Sequence, residues 1–457
     1  MGFIMSLLVK QKKFYITFIS LTAAIALQNV IVYLVNITDS VMVGRFSQDA
    51  LSGVTLVNQI QYLLQMSVTG IVEGALIFSA RAWGEGRIDG VKKMAAISSK
   101  VAVGVSMLLF AICFALPNGV LSLLSNDADV IDQGVMYLQI MVFTYPLFAL
   151  TQALLSMLRS VETVLIGFVS STFALITNLI LNYIMIFGKL GCPQMGVKGA
   201  AYATLIARGL ELTVICIYVF CIDRKVRLKP TQLLPFDTAL FKTYFKTGAP
   251  VFFSGVLWGF AQMLQTAILG HTTKDVIAAN SIASTVFSVM SVVVYASGTA
   301  TAVIIGKTIG ERKLSRIPLY SKTLQLMFVG LGVITGVLIF VLRDPINALY
   351  SVSDTAKDLS AQFMLVLSIT VAGTAYQNSV HTGIVRAGGD TGFVFKVDTL
   401  LMWCLTLPLS FLSAYVFEWP YVVTFICLKG DQILKCFIAF WKVNFGNWLK
   451  VTDKKSE

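Results

Sequence analysis

The sequence predicts an all-α, polytopic membrane protein: twelve transmembrane helices in two six-helix bundles related by a parallel internal repeat. Three observations carry that prediction. The first is composition. Of 457 residues, 56% are hydrophobic and 13% charged, against roughly 45–50% and roughly 25% in an average soluble domain. So little charge cannot cover a soluble surface of this size. The composition also excludes a disordered, collagen-like or disulfide-stapled chain. The second is the count of apolar segments. A bilayer-spanning helix needs about 20 apolar residues, and twelve such stretches can be marked. The third is self-similarity: landmarks of the first half recur in the second at a constant offset.

The first span, Phe14–Val35, follows a short basic flank at Met1–Lys13. Its apolar stretch is too long for a signal-peptide core and no convincing cleavage site follows it. Then come Leu51–Phe78, Ala95–Leu116, Val130–Leu154, Leu165–Phe187 and Ala200–Cys221. The second set is Tyr244–Leu269, Val276–Ile305, Leu324–Leu342, Ser360–Gly383, Gly392–Tyr415 and Tyr421–Trp441. Several are longer than a straight crossing needs, which implies tilt, kinks or ends emerging from the bilayer. Residues 1–222 form the first bundle and 242–444 the second. Residues 223–241, with Pro230, Pro235 and a basic cluster, form a cytoplasmic linker, and 445–457 a cytoplasmic tail.

The net charge of +12 raises nucleic-acid binding, but its placement argues otherwise. About 25 Lys and Arg fall in the loops on one side and about six on the other, the asymmetry that cytoplasmic loops retain. Both termini are expected in the cytoplasm, in a cell (inner) membrane, with no nucleic-acid partner. The seven cysteines mostly lie in apolar runs, where Cys acts as a small hydrophobe. Cys192 alone sits in an expected external loop. His271 and His381 are far apart and form no HExxH site. A P-loop is absent, and no lone Ser or Cys has a base beside it. The residues read as transport, not catalysis.

The repeat is anchored by loop landmarks. Gly44 and Asp49 fall on Gly270 and Asp275; Arg81, Gly84 and Glu85 fall on Lys307, Gly310 and Glu311. A slip of one position brings Leu158-Arg159 onto Val385-Arg386. Six spans return the chain to its starting side, so the halves share an orientation and their pseudo-two-fold axis stands along the membrane normal. Substrate in such folds sits between the repeats near the midplane.

Three landmarks resemble the multidrug and toxic compound extrusion (MATE) family. They are Asn36-Ile-Thr-Asp39-Ser-Val-Met-Val-Gly44, the pair Asn178…Asn182-Tyr followed by Gly199-Ala-Ala-Tyr-Ala-Thr204, and Arg386-Ala-Gly-Gly-Asp390-Thr391. The resemblance implies a secondary exporter of organic, often cationic and amphipathic compounds, driven by inward Na⁺ or H⁺. It implies no resident cofactor, small-molecule and lipid contacts, and a monomer. It selects Asp39 as the coupling residue, with Asn178, Asn182 and Thr204 as neighbouring oxygen ligands. Three positions depart from the family. Ala24 stands opposite Pro250 in the repeat, so span 1 lacks a proline at which to bend. Asn182 stands where many relatives carry aspartate. Span 7 has no acid between Val256 and Gln265.

Ionisable groups inside spans are functional candidates. Asn178 and Asn182 share a helix face at i, i+4, which equally suits helix–helix hydrogen bonding. Glu73 in span 2 is placed to meet substrate, hold a proton or pair with a base. Arg208 and Glu211, at i and i+3, are expected to neutralise one another. Gln61, Glu73, Tyr145, Trp258, Gln262, Gln265 and Gln377 are candidates for a substrate cleft. Gly388-Gly389 reads as a helix break, with Asp390-Thr391 capping span 11. Asp398, Lys429 and Asp431 have no assignment. A lipid-linked precursor flippase is the alternative, though Arg208 is the only arginine deep in a first-half span. A major-facilitator signature is absent between spans 2 and 3, where Ala80–Lys93 stands.

Overall fold

A computed structural model describes residues 8–125, 127–270, 272–350 and 352–450. His271 and the tail's Lys454 and Lys455 lie outside the described residues. Within a bilayer every backbone polar group must be paired inside its own segment, and the described chain accordingly folds into helices. They are α1 (Lys12–Gly44), α2 (Gln48–Gly84), α3 (Ile88–Ala115), α4 (Pro117–Ser122), α5 (Ala128–Met141), α6 (Thr144–Ser160), α7 (Leu165–Phe187) and α8 (Gly196–Ile217). The second half continues with α9 (Thr238–Gly270), α10 (Lys274–Met290), α11 (Val292–Gly310), α12 (Ile317–Ala348) and α13 (Asp354–Asn378). The last four are α14 (Thr391–Thr399), α15 (Leu407–Phe411), α16 (Tyr421–Lys429) and α17 (Asp431–Asn444).

Ten helical segments are individually long and apolar enough to cross a membrane. The eleventh span is α5 and α6 together, bent by 50°. At that bend the Thr144 hydroxyl donates to Met141 O at 2.6 Å, supplying a partner where the regular ladder is interrupted. The expected twelfth span, Tyr421–Trp441, falls on α16 and α17, which are separated by Gly430 and are each too short alone. Wider π-type turns at Ser379–Val385, Leu400–Thr406 and Leu412–Val416 interrupt spans 10 and 11; such bulges are frequent at functional sites. Among the described residues, ten spans, or eleven with the bent pair, are thus long and apolar enough to cross a membrane, and several are not single smooth helices.

By contact the described chain forms two units. The first comprises Leu27–Trp83 and Arg87–Val256; the second comprises the described parts of Met1–Ala26 and Leu257–Glu457, with Gly84–Gly86. These limits pass through α1 and α9 rather than through the linker at 223–241. Both helices have 33 residues, about 50 Å of length, so one end packs among different neighbours from the other. Phe14 of α1 meets Tyr320 with ring centroids 4.6 Å apart, in the second unit. The linker itself is fastened to the first unit: Lys93 pairs with Asp237 at 3.0 Å, and Lys100 donates to the carbonyls of Leu234 and Pro235. The first unit's core gathers Leu64, Ile71, Tyr137, Tyr145 and Phe148. In the second, Phe363 stacks on Phe425 at 4.2 Å.

Candidate functional site

Asp39 lies near the end of α1 and is only 5% exposed. The helices that meet it are α7 and α8. On α7, Ser171, Ala174, Asn178 and Asn182 are buried, while Phe173, Ile176, Ile180 and Tyr183 are exposed on the other side. This helical periodicity turns an apolar face outward and the amides inward. On α8, Gly199 lies against the backbone of Met185 and Ile186, with no room for a Cβ. That close approach brings Thr204 to the asparagines.

The four residues form one hydrogen-bonded cluster, wholly in the first unit. Asn182 Nδ2 donates to Asp39 Oδ1 at 2.5 Å and to Asn178 Oδ1 at 3.1 Å. The Thr204 hydroxyl donates to Asp39 Oδ2 at 3.2 Å and accepts from Asn178 Nδ2 at 3.2 Å. Both Asp39 oxygens thus accept, as in an ionised carboxylate. The Asn182 Oδ1 atom is buried without a hydrogen-bond partner. One charge, two amide oxygens and a hydroxyl make a hard-oxygen set suited to a small cation, and the orphaned oxygen is a free acceptor within it.

A narrow cleft runs beside the cluster, lined by Ile31, Val35, Ala174, Asn178, Thr204 and Arg208. Arg208 Nη1 pairs with Glu211 Oε2 at 2.8 Å, and Ser171 donates to the other Glu211 oxygen at 2.8 Å. The expected ion pair is present and adds no net charge beside Asp39. Tyr137, fully buried next to Thr204, is not among the sequence candidates. An aromatic in an apolar run carries no distinguishing signal.

The cleft candidates are distributed over both units. In the first, Gln61 and Glu73 are half-buried on α2. The Glu73 carboxylate acts on Arg159, whose Nη2 donates to Gln28 Oε1 at 2.8 Å. Tyr145 is fully buried in the core, its hydroxyl unpartnered, so it presents no ring surface to a ligand here. In the second unit, Gln262 is half-buried. The Trp258 ring faces Lys435 Nζ at 5.8 Å. Gln265 accepts from Lys429 Nζ at 2.9 Å, and Gln377 donates to Gln432 at 2.7 Å.

The unassigned charges find partners. Lys435 pairs with Asp431 at 2.8 Å, and Asp398 lies 3.6–3.9 Å from His381, Arg386 and Lys435. The expected cap on span 11 is corrected. Asp390 makes no side-chain cap bond; it is instead clamped by Lys442 at 2.8 Å and Lys450 at 2.7 Å. Two ammonium groups outcompete a backbone N–H for one carboxylate.

The MatE family model matches residues 24–184 and 250–412. Among curated proteins, the probable multidrug resistance protein NorM of Thermotoga maritima is 22% identical, covering 93% of this chain and 90% of that one. The multidrug resistance protein MdtK of Pectobacterium atrosepticum is 24% identical, covering 83% of each. Among solved structures, the Vibrio cholerae MATE transporter VcmN in its bent form matches with TM-score 0.83 at 18% identity, over 94% of this chain and 96% of that one. The eukaryotic MATE transporter AtDTX14 matches with TM-score 0.86 at 17% identity, over 96% and 97%.

Proposed function

Since this chain belongs to the MatE family of transporters, we propose that it is a secondary active multidrug exporter. It exchanges organic, often cationic and amphipathic compounds for Na⁺ or H⁺. The observation that carries this reading is the buried Asp39 cluster, with its single carboxylate and orphaned Asn182 oxygen. A proton on Asp39 neutralises the cluster directly. A sodium ion does so by bridging Asp39 and the hard oxygens of Asn178, Asn182 and Thr204. A half-turn of the Asn182 amide, whose two ends are alike in shape, replaces the N–H facing Asp39 with Oδ1 and completes that ligand set. Either ion brings one positive charge to one buried negative charge.

The relatives' names, multidrug resistance protein, support the substrate class. The parallel repeat supports alternating access by the two halves. In this reading the chain acts as a monomer with both termini in the cytoplasm, uses no resident cofactor and catalyses no covalent reaction.

Efflux of ethidium from vesicles, driven separately by Na⁺ and by proton gradients, tests the proposal. Asp39→Asn is expected to lower ion-driven efflux about tenfold or more, a change of about 1.4 kcal/mol or greater. Full coupled efflux by that variant overturns the site. Ethidium efflux under neither gradient moves the reading to a lipid-linked precursor flippase.

A further inference from the structure

The alignment of the two halves that carries Gly44 onto Gly270 also carries Asp39 onto Gln265. Each lies at the same distance from the end of its helix, α1 or α9. Asp39 is met from the fifth span by Asn182 and from the sixth by Thr204. Gln265, 5% exposed, is met by the corresponding spans of its own half. From the eleventh, Met402 Sδ accepts from Gln265 Nε2 at 3.3 Å. From the twelfth, Lys429 Nζ donates to Gln265 Oε1 at 2.9 Å.

The same three elements of each repeat thus converge, but the chemistry is inverted. An amide replaces the carboxylate. A thioether, a poor ligand for a hard cation, replaces an amide oxygen. An ammonium occupies the acceptor that a cation would need.

Lys429 is half-buried within the last span. Among the described residues its one hydrogen bond is to neutral Gln265. The nearby Asp431 attracts it through space but is bonded to Lys435 at 2.8 Å and to Gln432. A charge inside a span with no carboxylate hydrogen-bonded to it is a functional candidate. We infer that the Lys429 ammonium is a tethered cation that permanently fills the coupling-ion position of the second repeat. Ions are then exchanged at Asp39 alone, and each cycle moves one.

The inference rests on the ion-coupled reading above, and the test separates the two. The ratio of ions moved per ethidium is obtained from the ethidium gradient at which net flux reverses against imposed ion gradients in proteoliposomes. The full-length protein should give about one, and Asp39→Asn should lose coupling. Replacing the amide and removing the ammonium together, Gln265→Glu with Lys429→Ala, should raise the ratio to about two. Adding Asp39→Asn to that pair should restore coupling at about one, now through the second repeat.

A ratio of about two in the unaltered protein overturns the inference directly. So does a paired variant that remains at about one while its triple form stays uncoupled; coupling at Asp39 survives that result. Coupling that persists in Asp39→Asn removes the Asp39 reading, and the inference with it. If the paired variant is inactive, Gln265→Glu alone decides. With Lys429 present to pair with the new carboxylate, its ratio should remain about one, and a rise to about two refutes the tethered cation.

Discussion

Arg208 and Glu211 illustrate how single residues carry charge in this interior. Their side chains are 8% and 2% exposed and 2.8 Å apart, so neither has water to fall back on. Glu211→Gln leaves the guanidinium buried beside a neutral partner, and such half-broken pairs cost about 3–5 kcal/mol. The expected result is a clear drop in thermal midpoint in detergent, with most of the loss recovered by pairing Glu211→Leu with Arg208→Met. Equal stability of Glu211→Gln and the native protein would mean that the pair is solvated after all. This pair is legible in the sequence because its members sit one helical turn apart. Lys435 and Asp431 have similar spacing, i and i+4, but Lys429, closer in sequence to the same aspartate, obscures the true partner. The Lys429–Gln265 bond joins two spans far apart in the chain, and no local pattern announces it. Asp39, Asn178, Asn182 and Thr204 lie between these extremes: spacing joins the two asparagines, while family resemblance is needed to add the other two.

Among elements, the segment that follows α17 closes back on the turn between spans 10 and 11. The Lys450 amide donates to Gly388 O at 2.9 Å, and Trp448 packs so closely on Gly388 that a Cβ there would collide with the indole. Asp390 supplies the electrostatic half of this latch. Burial raises its carboxyl pKa, but the hydrogen bonds and charges of Lys442 and Lys450 outweigh that and hold it below its ordinary value of 3.8. A lowered folded-state pKa stabilises the latch fully above the unfolded value, and the contribution fades as pH falls through the folded one. Hydrogen exchange at Lys450 should therefore stay protected from neutral pH down to about pH 4 and loosen only below it, whereas Asp390→Asn should loosen it at neutral pH. Unchanged protection in that variant would assign the latch to Trp448 packing alone. The glycines and Asp390 are visible in the sequence as a break, but a cap is the wrong partner, because the competing lysines arrive from the last span and from beyond its end. Gly332 and Gly336 carry a GxxxG spacing whose purpose only the fold reveals; they let α12 approach Ala372 and Ser368 of α13 with no space for side chains.

For the whole molecule, hydropathy locates twelve spans because apolar length is a local property, and it cannot foresee the contact division through α1 and α9, which depends on neighbours. Orientation rests on a different physical quantity, the cost of moving Lys and Arg across the membrane. With about 25 such residues on one side and about six on the other, the proposed orientation puts the side holding the linker in the cytoplasm. Two positions expose that assignment to a direct check. Cys192 is exposed between α7 and α8, on the sparsely charged side; Arg224 is exposed in the linker, on the rich one. In a background with the other cysteines replaced, a membrane-impermeant maleimide should label Cys192 in intact cells. A chain with Arg224→Cys as its one thiol should react only after permeabilisation. The reversed pattern would invert the molecule, placing the Asp39 end of α1 toward the cytoplasm and making inward ion movement unable to reach Asp39 first. The labelling therefore tests the direction of transport as well as the topology, since an exporter driven by inward ions needs that carboxylate near the face from which the ions enter.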